Sequence, residues 1–240
     1  MVDDERKLQD ESVMRFKRSH VYMALLPLAF VAGLATGFLY WGQDQPTPAQ
    51  PNPTAVVENA QPVKPEEVTR FDVPTDGDPS IGPEDAAVVI VEFSDFSCVY
   101  CRKFHTETFP QLLEAYEGQI RFVYRDFPIL SPESLIAAQA AECAHEQDMF
   151  WEYHDKLFSG ELKLGRDTYE QYALDLGMDA DALLECIDSG RFEDEVSEDA
   201  NFVRNLGAGG TPTFFVNGIP MVGAQPFANF DALIREELDQ

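Results

Sequence analysis

Cys98 and Cys101 stand three residues apart, directly after the largely apolar run of residues 87–93 (AVVIVEF), where a helix begins to read. That spacing puts both sulfurs on one face of a helical turn, close enough for a strained, exchangeable disulfide. A cysteine at a helix N-terminus faces unpaired backbone N–H groups and the positive end of the helix dipole, and both favour its thiolate. The thiolate is the species that attacks disulfides, so the pair points to thiol–disulfide exchange. Zinc is the competing reading of two cysteines at this spacing, but zinc needs further ligands. Cys143 and Cys186 are isolated, and no histidine lies three to five residues from another, so no metal is expected.

The elements that must position the pair follow from periodicity. Residues 87–93 form a continuous apolar run, as a buried central strand requires. A helix is expected over 98–117 with an interruption near Pro110, then a β-rich alternating stretch at 119–127 (QIRFVYRDF). Strand, helix, strand implies a parallel βαβ unit with the cysteines at the strand's carboxyl end, where α/β folds place their sites. From about 131 to 206 the pattern is helical, opening on Ser131-Pro132-Glu133 and broken at Gly160, Gly165, Gly177 and Gly190. The β pattern returns at 213–216, turns at Asn217-Gly218, continues at 219–223, and a last amphipathic helix covers 227–238. The fold class is therefore α/β with a helical insertion.

Two segments resemble DsbA-like thiol–disulfide oxidoreductases of the thioredoxin superfamily. VEFSDFSCVYC at 91–101 is similar to their active-site segment, and GTPTFFVNG at 210–218 to their cis-proline loop and following hairpin. The helical block, including AECA at 141–144 and FWEYHD at 150–155, resembles the insertion that separates these proteins from plain thioredoxin. The resemblance covers roughly residues 70–240. It implies a thioredoxin-like fold with Cys98 as the exposed nucleophile and Cys101 as the buried resolving thiol. It also implies a cis Pro212 lying against the pair, with Thr211 offering backbone bonds to a substrate peptide.

Glu92 is the single charge in its strand, and an isolated buried carboxylate resists ionisation. The resemblance gives an acid at this position the role of proton acceptor beneath the resolving cysteine; the alternative is a side chain turned to solvent. Many relatives have proline after the first cysteine, where this chain has Val99 followed by Tyr100. This dipeptide borders the substrate and helps set the redox poise, so it leaves open the strength of the pair as an oxidant. Arg102, Lys103 and His105 follow on the helix and either support the thiolate or are merely solvated. His145 and His154 are assigned no role, and the aromatic block is read as core packing. In an oxidising compartment Cys143 and Cys186 are expected to pair, as in some relatives, closing a loop of about 44 residues worth about 4 kcal/mol; two buried free thiols are the alternative.

The compartment is read from the N-terminal third. Residues 21–41 (VYMALLPLAFVAGLATGFLYW) are nearly all apolar and as a helix would span about 31 Å, the thickness of a bilayer core. The length and aromatic end favour an uncleaved anchor over a signal peptide. Arg15, Lys17 and Arg18 precede it, and no basic residue follows until Lys64. The positive-inside rule thus makes residues 1–20 a cytoplasmic tail and sends the rest outside. Residues 42–83 hold nine of the sixteen prolines and read as a tether, leaving 84–240 as the catalytic domain. A net charge of −26 disfavours nucleic acid as a partner.

The expected function is extracytoplasmic oxidation of cysteine-containing exported proteins from a single-pass membrane anchor, without a cofactor. The resemblance implies a quinone-linked membrane partner that would reoxidise the pair. The rivals are a reductase or isomerase kept reduced by a membrane electron donor, and a redox-inactive peptide-binding chaperone.

Overall fold

The computed structural model describes residues 68–75 and 77–239. The tail at 1–20, the anchor at 21–41 and the tether up to residue 67 lie outside the described residues. No helix among the described residues is long and apolar enough to cross a membrane.

The apolar run becomes β2 (Val88–Ser94), the central strand of a five-stranded sheet; β1 is Ser80–Ile81. β2 pairs in parallel with β3 (Ile120–Asp126), Glu92 lying opposite Tyr124. On its other side β2 pairs antiparallel with β4 (Thr213–Val216), Glu92 lying opposite Phe214. β5 (Ile219–Val222) closes the hairpin through Asn217 and Gly218, both at positive φ as a tight two-residue turn requires. The strand order is β1-β3-β2-β4-β5.

The crossover from β2 to β3 is made by α1 (Val99–Glu107) and α2 (Phe109–Ala115). The break falls at Thr108 rather than at Pro110, because Pro110 sits in the first turn of the second helix, where its missing N–H costs nothing. The helical insertion comprises α3 (Pro132–His145), α4 (Phe150–Ser159), α5 (Arg166–Leu176), α6 (Ala180–Ser189) and α7 (Glu193–Asn205). Ser131 caps α3 by accepting the Ser134 N–H, and Asp179 caps α6 by accepting the Ala182 N–H. α8 (Phe227–Leu238) ends the domain.

The tether expected over 42–83 ends earlier, since its described part belongs to the sheet. Ser80 pairs with Val123, and the Tyr124 N–H donates to the Pro79 carbonyl at 2.9 Å. The Phe71 N–H donates to the Gly218 carbonyl at 2.8 Å, while Arg70 binds both carboxylate oxygens of Glu237 at 2.7 and 2.8 Å. A two-residue edge strand carries no periodicity, and proline is tolerated at a sheet edge, so this composition looks like linker.

Both sheet faces are covered. Ile90, Phe122 and Phe214 pack against Phe104, Phe109 and Phe230 on one side, while Val91, Phe93 and Phe215 meet Ala200 and Val203 of α7 on the other. A third apolar cluster lies at the helical insertion and joins Phe96, Tyr124, Tyr153 and Tyr172 to all four cysteines. Burying each large side chain is worth roughly 2–3 kcal/mol. The β2–α1 junction is thereby held from both sides.

Candidate active site

Cys98 is the N-cap of α1, in extended backbone at φ −81° and ψ 121°, and its sulfur accepts the Cys101 N–H at 3.4 Å. The turn before it is held by Asp95. The Asp95 carboxylate accepts N–H bonds from Ser97 at 2.8 Å, Ile129 at 2.9 Å and Leu130 at 3.0 Å, and the Asp95 carbonyl accepts that of Cys98 at 2.9 Å. One buried carboxylate thus locks the cysteine turn to the loop after β3. Ser134 of α3 donates to Ser97 at 3.0 Å and ties the insertion to the same turn.

The Thr211–Pro212 peptide bond is cis, and the Cys98 thiol donates to the Thr211 carbonyl at 3.4 Å. The chain segments 98–101 and 211–212 therefore meet as the resemblance implied. Cys101 is fully buried, but Cys98 keeps only 5% exposure, less than an exposed nucleophile should have. Its sulfur folds back over the helix N-terminus, where the donors are, and against the Thr211 carbonyl, so exposure falls instead on Val99 and Tyr100 at 67% and 62%.

These contacts separate the two thiols. The hydrogen bond from Cys101, with those from the backbone N–H groups of Cys101 and Tyr100, lowers Cys98 to about 6 against the opposing effect of burial. Cys101 goes the other way, pushed far up by burial, by its bond to Cys98 and by nearby Glu92. Lys103 reaches Glu107 at 3.8 Å on the exposed face. Hydrogen-bond donors, not flanking cations, stabilise this thiolate.

Glu92 is completely buried, and burial raises it to about 8. Its Oε2 lies 2.8 Å from His105 Nε2. Burial lowers His105 to about 3, so both groups are uncharged at pH 7 and the contact is a neutral hydrogen bond rather than an ion pair. His105 is thus neither a solvated residue nor a direct thiolate partner. It stands four residues after Cys101, one helical turn along the same face, and that spacing was the available signal. His154 was likewise unassigned; it is fully buried, and its inward position follows from the helical spacing of Phe150, His154 and Phe158.

Cys143 and Cys186 are joined in a disulfide between α3 and α6, with Cα atoms 5.9 Å apart. Among the described residues no group of three or more His, Cys, Asp or Glu side chains is placed to hold a metal. A cavity of about 1090 Å³ lies elsewhere, lined by Asp78, Glu142, Glu195, Asp199 and Arg125 among others but by neither Cys98 nor Thr211. The thiol chemistry is not there.

A family model described as Thioredoxin matches residues 74–236. The chain is 36% identical over 143 residues to a Na(+)/H(+) antiporter NhaA of Herminiimonas arsenicoxydans, a match covering 60% of this chain and only 23% of the antiporter. It thus spans less than a quarter of that relative's length. It is 30% identical to a probable disulfide bond formation protein D of Bacillus cereus, over 58% of this chain and 69% of the relative. The fold is similar to the crystal structure of oxidised BdbD from Bacillus subtilis, with a TM-score of 0.67 and 24% identity over 72% of this chain and 99% of that one. The chain belongs to the thioredoxin family, in the DsbA-like form that carries a helical insertion.

Proposed function

We propose that the protein is a thiol–disulfide oxidoreductase that introduces disulfides into cysteine-containing exported proteins. The observation that carries this reading is the placement of Cys98 at the N-cap of α1, its sulfur accepting the Cys101 N–H beside the cis Thr211–Pro212 bond, with Cys101 fully buried. A stabilised Cys98 thiolate favours the reduced protein, which makes the disulfide the stronger oxidant. The relative named for disulfide bond formation supports the same direction.

A substrate thiolate attacks the Cys98 sulfur of the Cys98–Cys101 disulfide. The S–S bond breaks, its electron pair leaves on Cys101, and Cys101 takes a proton from the neutral Glu92 carboxyl. A second substrate thiolate then attacks the substrate sulfur of the mixed disulfide and expels Cys98 as a thiolate. The substrate loses two electrons and the enzyme gains them. The Thr211 carbonyl beside cis Pro212 and the exposed Val99 and Tyr100 border the peptide during these steps.

The anchor at 21–41 holds the domain outside the cytoplasmic membrane, with Arg15, Lys17 and Arg18 on the cytoplasmic side. A quinone-linked membrane protein takes the two electrons away and restores the disulfide. Acid quenching of intact cells followed by thiol alkylation tests the direction of flow. Cys98 and Cys101 should be found mostly oxidised. A mostly reduced pair would overturn oxidation in favour of a reductase or isomerase fed by a membrane electron donor.

A further inference from the structure

Four side chains lead from the buried acid to the surface. Glu92 Oε2 is 2.8 Å from His105 Nε2, and His154 Nδ1 is 2.9 Å from Asp155 Oδ1. The two imidazole rings meet with centroids 4.3 Å apart at 77°. The remaining nitrogens, His105 Nδ1 and His154 Nε2, are both buried without a hydrogen-bond partner. The inner end is sealed, with Glu92 and His154 fully buried, whereas the Asp155 side chain is 75% exposed.

Proton bookkeeping makes the two unpartnered nitrogens complementary. A neutral Glu92 carboxyl donates to His105 Nε2, which leaves the His105 proton on Nδ1 with no acceptor. An N–H on His154 Nδ1 donates to Asp155, which leaves His154 Nε2 a lone pair with no donor. One ring offers what the other lacks, across a ring-to-ring contact. Buried polar groups are seldom left unmet, so this contact between the two rings calls for an explanation.

We propose that His105 and His154 form a proton relay that connects Glu92, and through it Cys101, with solvent at Asp155. The 4.3 Å centroid separation already holds the two rings in contact. With both imidazole protons on Nε2, the tautomers that an outward shift leaves behind, Glu92 protonates the departing Cys101 sulfur and its carboxylate takes the His105 Nε2 proton. His105 Nδ1 is refilled from His154 Nε2, and His154 Nδ1 from Asp155 and water. Each imidazole gains one proton as it loses another, so neither has to become a buried cation. The opposite shift removes the Cys101 proton when that thiol attacks a mixed disulfide. Both histidines are held neutral by burial, lowered to about 3 and about 4, as this mechanism needs. Cys101 on α1 and Tyr124 on β3 are the titratable neighbours of the path, and the two imidazoles otherwise pack against aromatic rings, Phe109 and Phe158 touching both. A cavity of about 380 Å³ opens beside His105 and Asp155 and gives water an approach to the outer end.

This relay rests on the exchange chemistry proposed above, and a half-reaction separates the two. Dithiothreitol donates two electrons to the Cys98–Cys101 disulfide of the full chain and becomes a cyclic disulfide, whichever way electrons flow in the cell. The rate is followed by acid quench between pH 6 and 10 in H2O and D2O. His154→Phe removes the relay's outer imidazole without touching a cysteine or breaking the bond to Glu92. It should slow the step about tenfold, part of the 10²–10⁴ that positioned acid–base groups supply, and alter both the pH profile and the isotope effect. His105→Gln keeps a hydrogen-bond partner for Glu92 but cannot exchange tautomers, and should be slowed similarly. A folded His154→Phe with the wild-type pH profile and isotope effect overturns the relay, as does full rescue by His105→Gln. If His154→Phe does not fold, His154→Gln is judged by the same readouts. No exchange by the wild-type chain would instead sink the functional reading itself.

Discussion

The domain holds two cysteine pairs in one apolar cluster, and burial does not tell them apart. Cys98 and Cys101 are 5% and 0% exposed; Cys143 and Cys186 are 1% and 3%. The backbone around them is what differs. Cys98 caps a helix whose first N–H groups have no internal partners and turn toward its sulfur. Cys143 lies inside α3 and Cys186 inside α6, where the helix's own carbonyls already take the N–H groups. A thiolate is stabilised at the first pair and would have little to stabilise it at the second. Reactivity here comes from unpaired donors at a helix end, and the absence of donors makes the other pair structural.

That contrast breaks first at Cys98. Cys98→Ala should abolish exchange with a reduced peptide; residual turnover would mean that the bridged pair is the reactive one. The complementary double change, Cys143→Ala with Cys186→Ala, should cost about 4 kcal/mol of stability in the chain-entropy model. Its exchange rate should stay within a factor of two or so once folding is secured, since no donor near Cys98 is lost. Denaturant unfolding and peptide oxidation on the same sample separate the two effects.

Glu92→Gln sharpens the comparison further. Resolution of a mixed disulfide at neutral pH should slow by about a hundredfold. Stability should move oppositely. The folded carboxyl is raised to about 8 from 4.5, so its contribution is complete below pH 4.5 and lost as pH rises through 8. Glu92→Gln should therefore gain melting temperature relative to wild type at pH 8 compared with pH 4.5, and a constant difference would contradict the buried-acid assignment.

The thiols of the reduced pair should titrate apart. Alkylation of Cys98 should reach half its maximal rate near pH 6, with Cys101 unreactive into the alkaline range. Because the folded value lies below the ordinary 9.0, the thiolate's contribution to the reduced form is complete above pH 9 and lost as pH falls through 6. The smallest effect belongs to Asp188, two residues after Cys186, which pairs with Arg166 at the surface. Asp188→Asn should leave melting temperature and exchange unchanged within error, as exposed ion pairs usually do.

Much of this was legible in short windows of sequence. The apolar strand, the Asn217-Gly218 hairpin, α7 and α8 all follow from side-chain period and turn chemistry acting within a few residues. Other features had no local signature. β1 is two residues long and exists only through its pairing with Val123 and Phe122. The coverage of Cys98 depends on Thr211, 113 residues away. His105 and His154 each look like an unpartnered histidine until α1 and α4 bring their rings together.

By itself, then, the sequence determined where the cysteine pair sits and pointed from there to thiol–disulfide exchange, because a C-x-x-C at a strand-to-helix turn carries its own donors and its own spacing. Only the tertiary structure decided how those residues are tuned. Burial raises Glu92, lowers two histidines and separates the cysteines, and burial is set by side chains that arrive from distant parts of the chain.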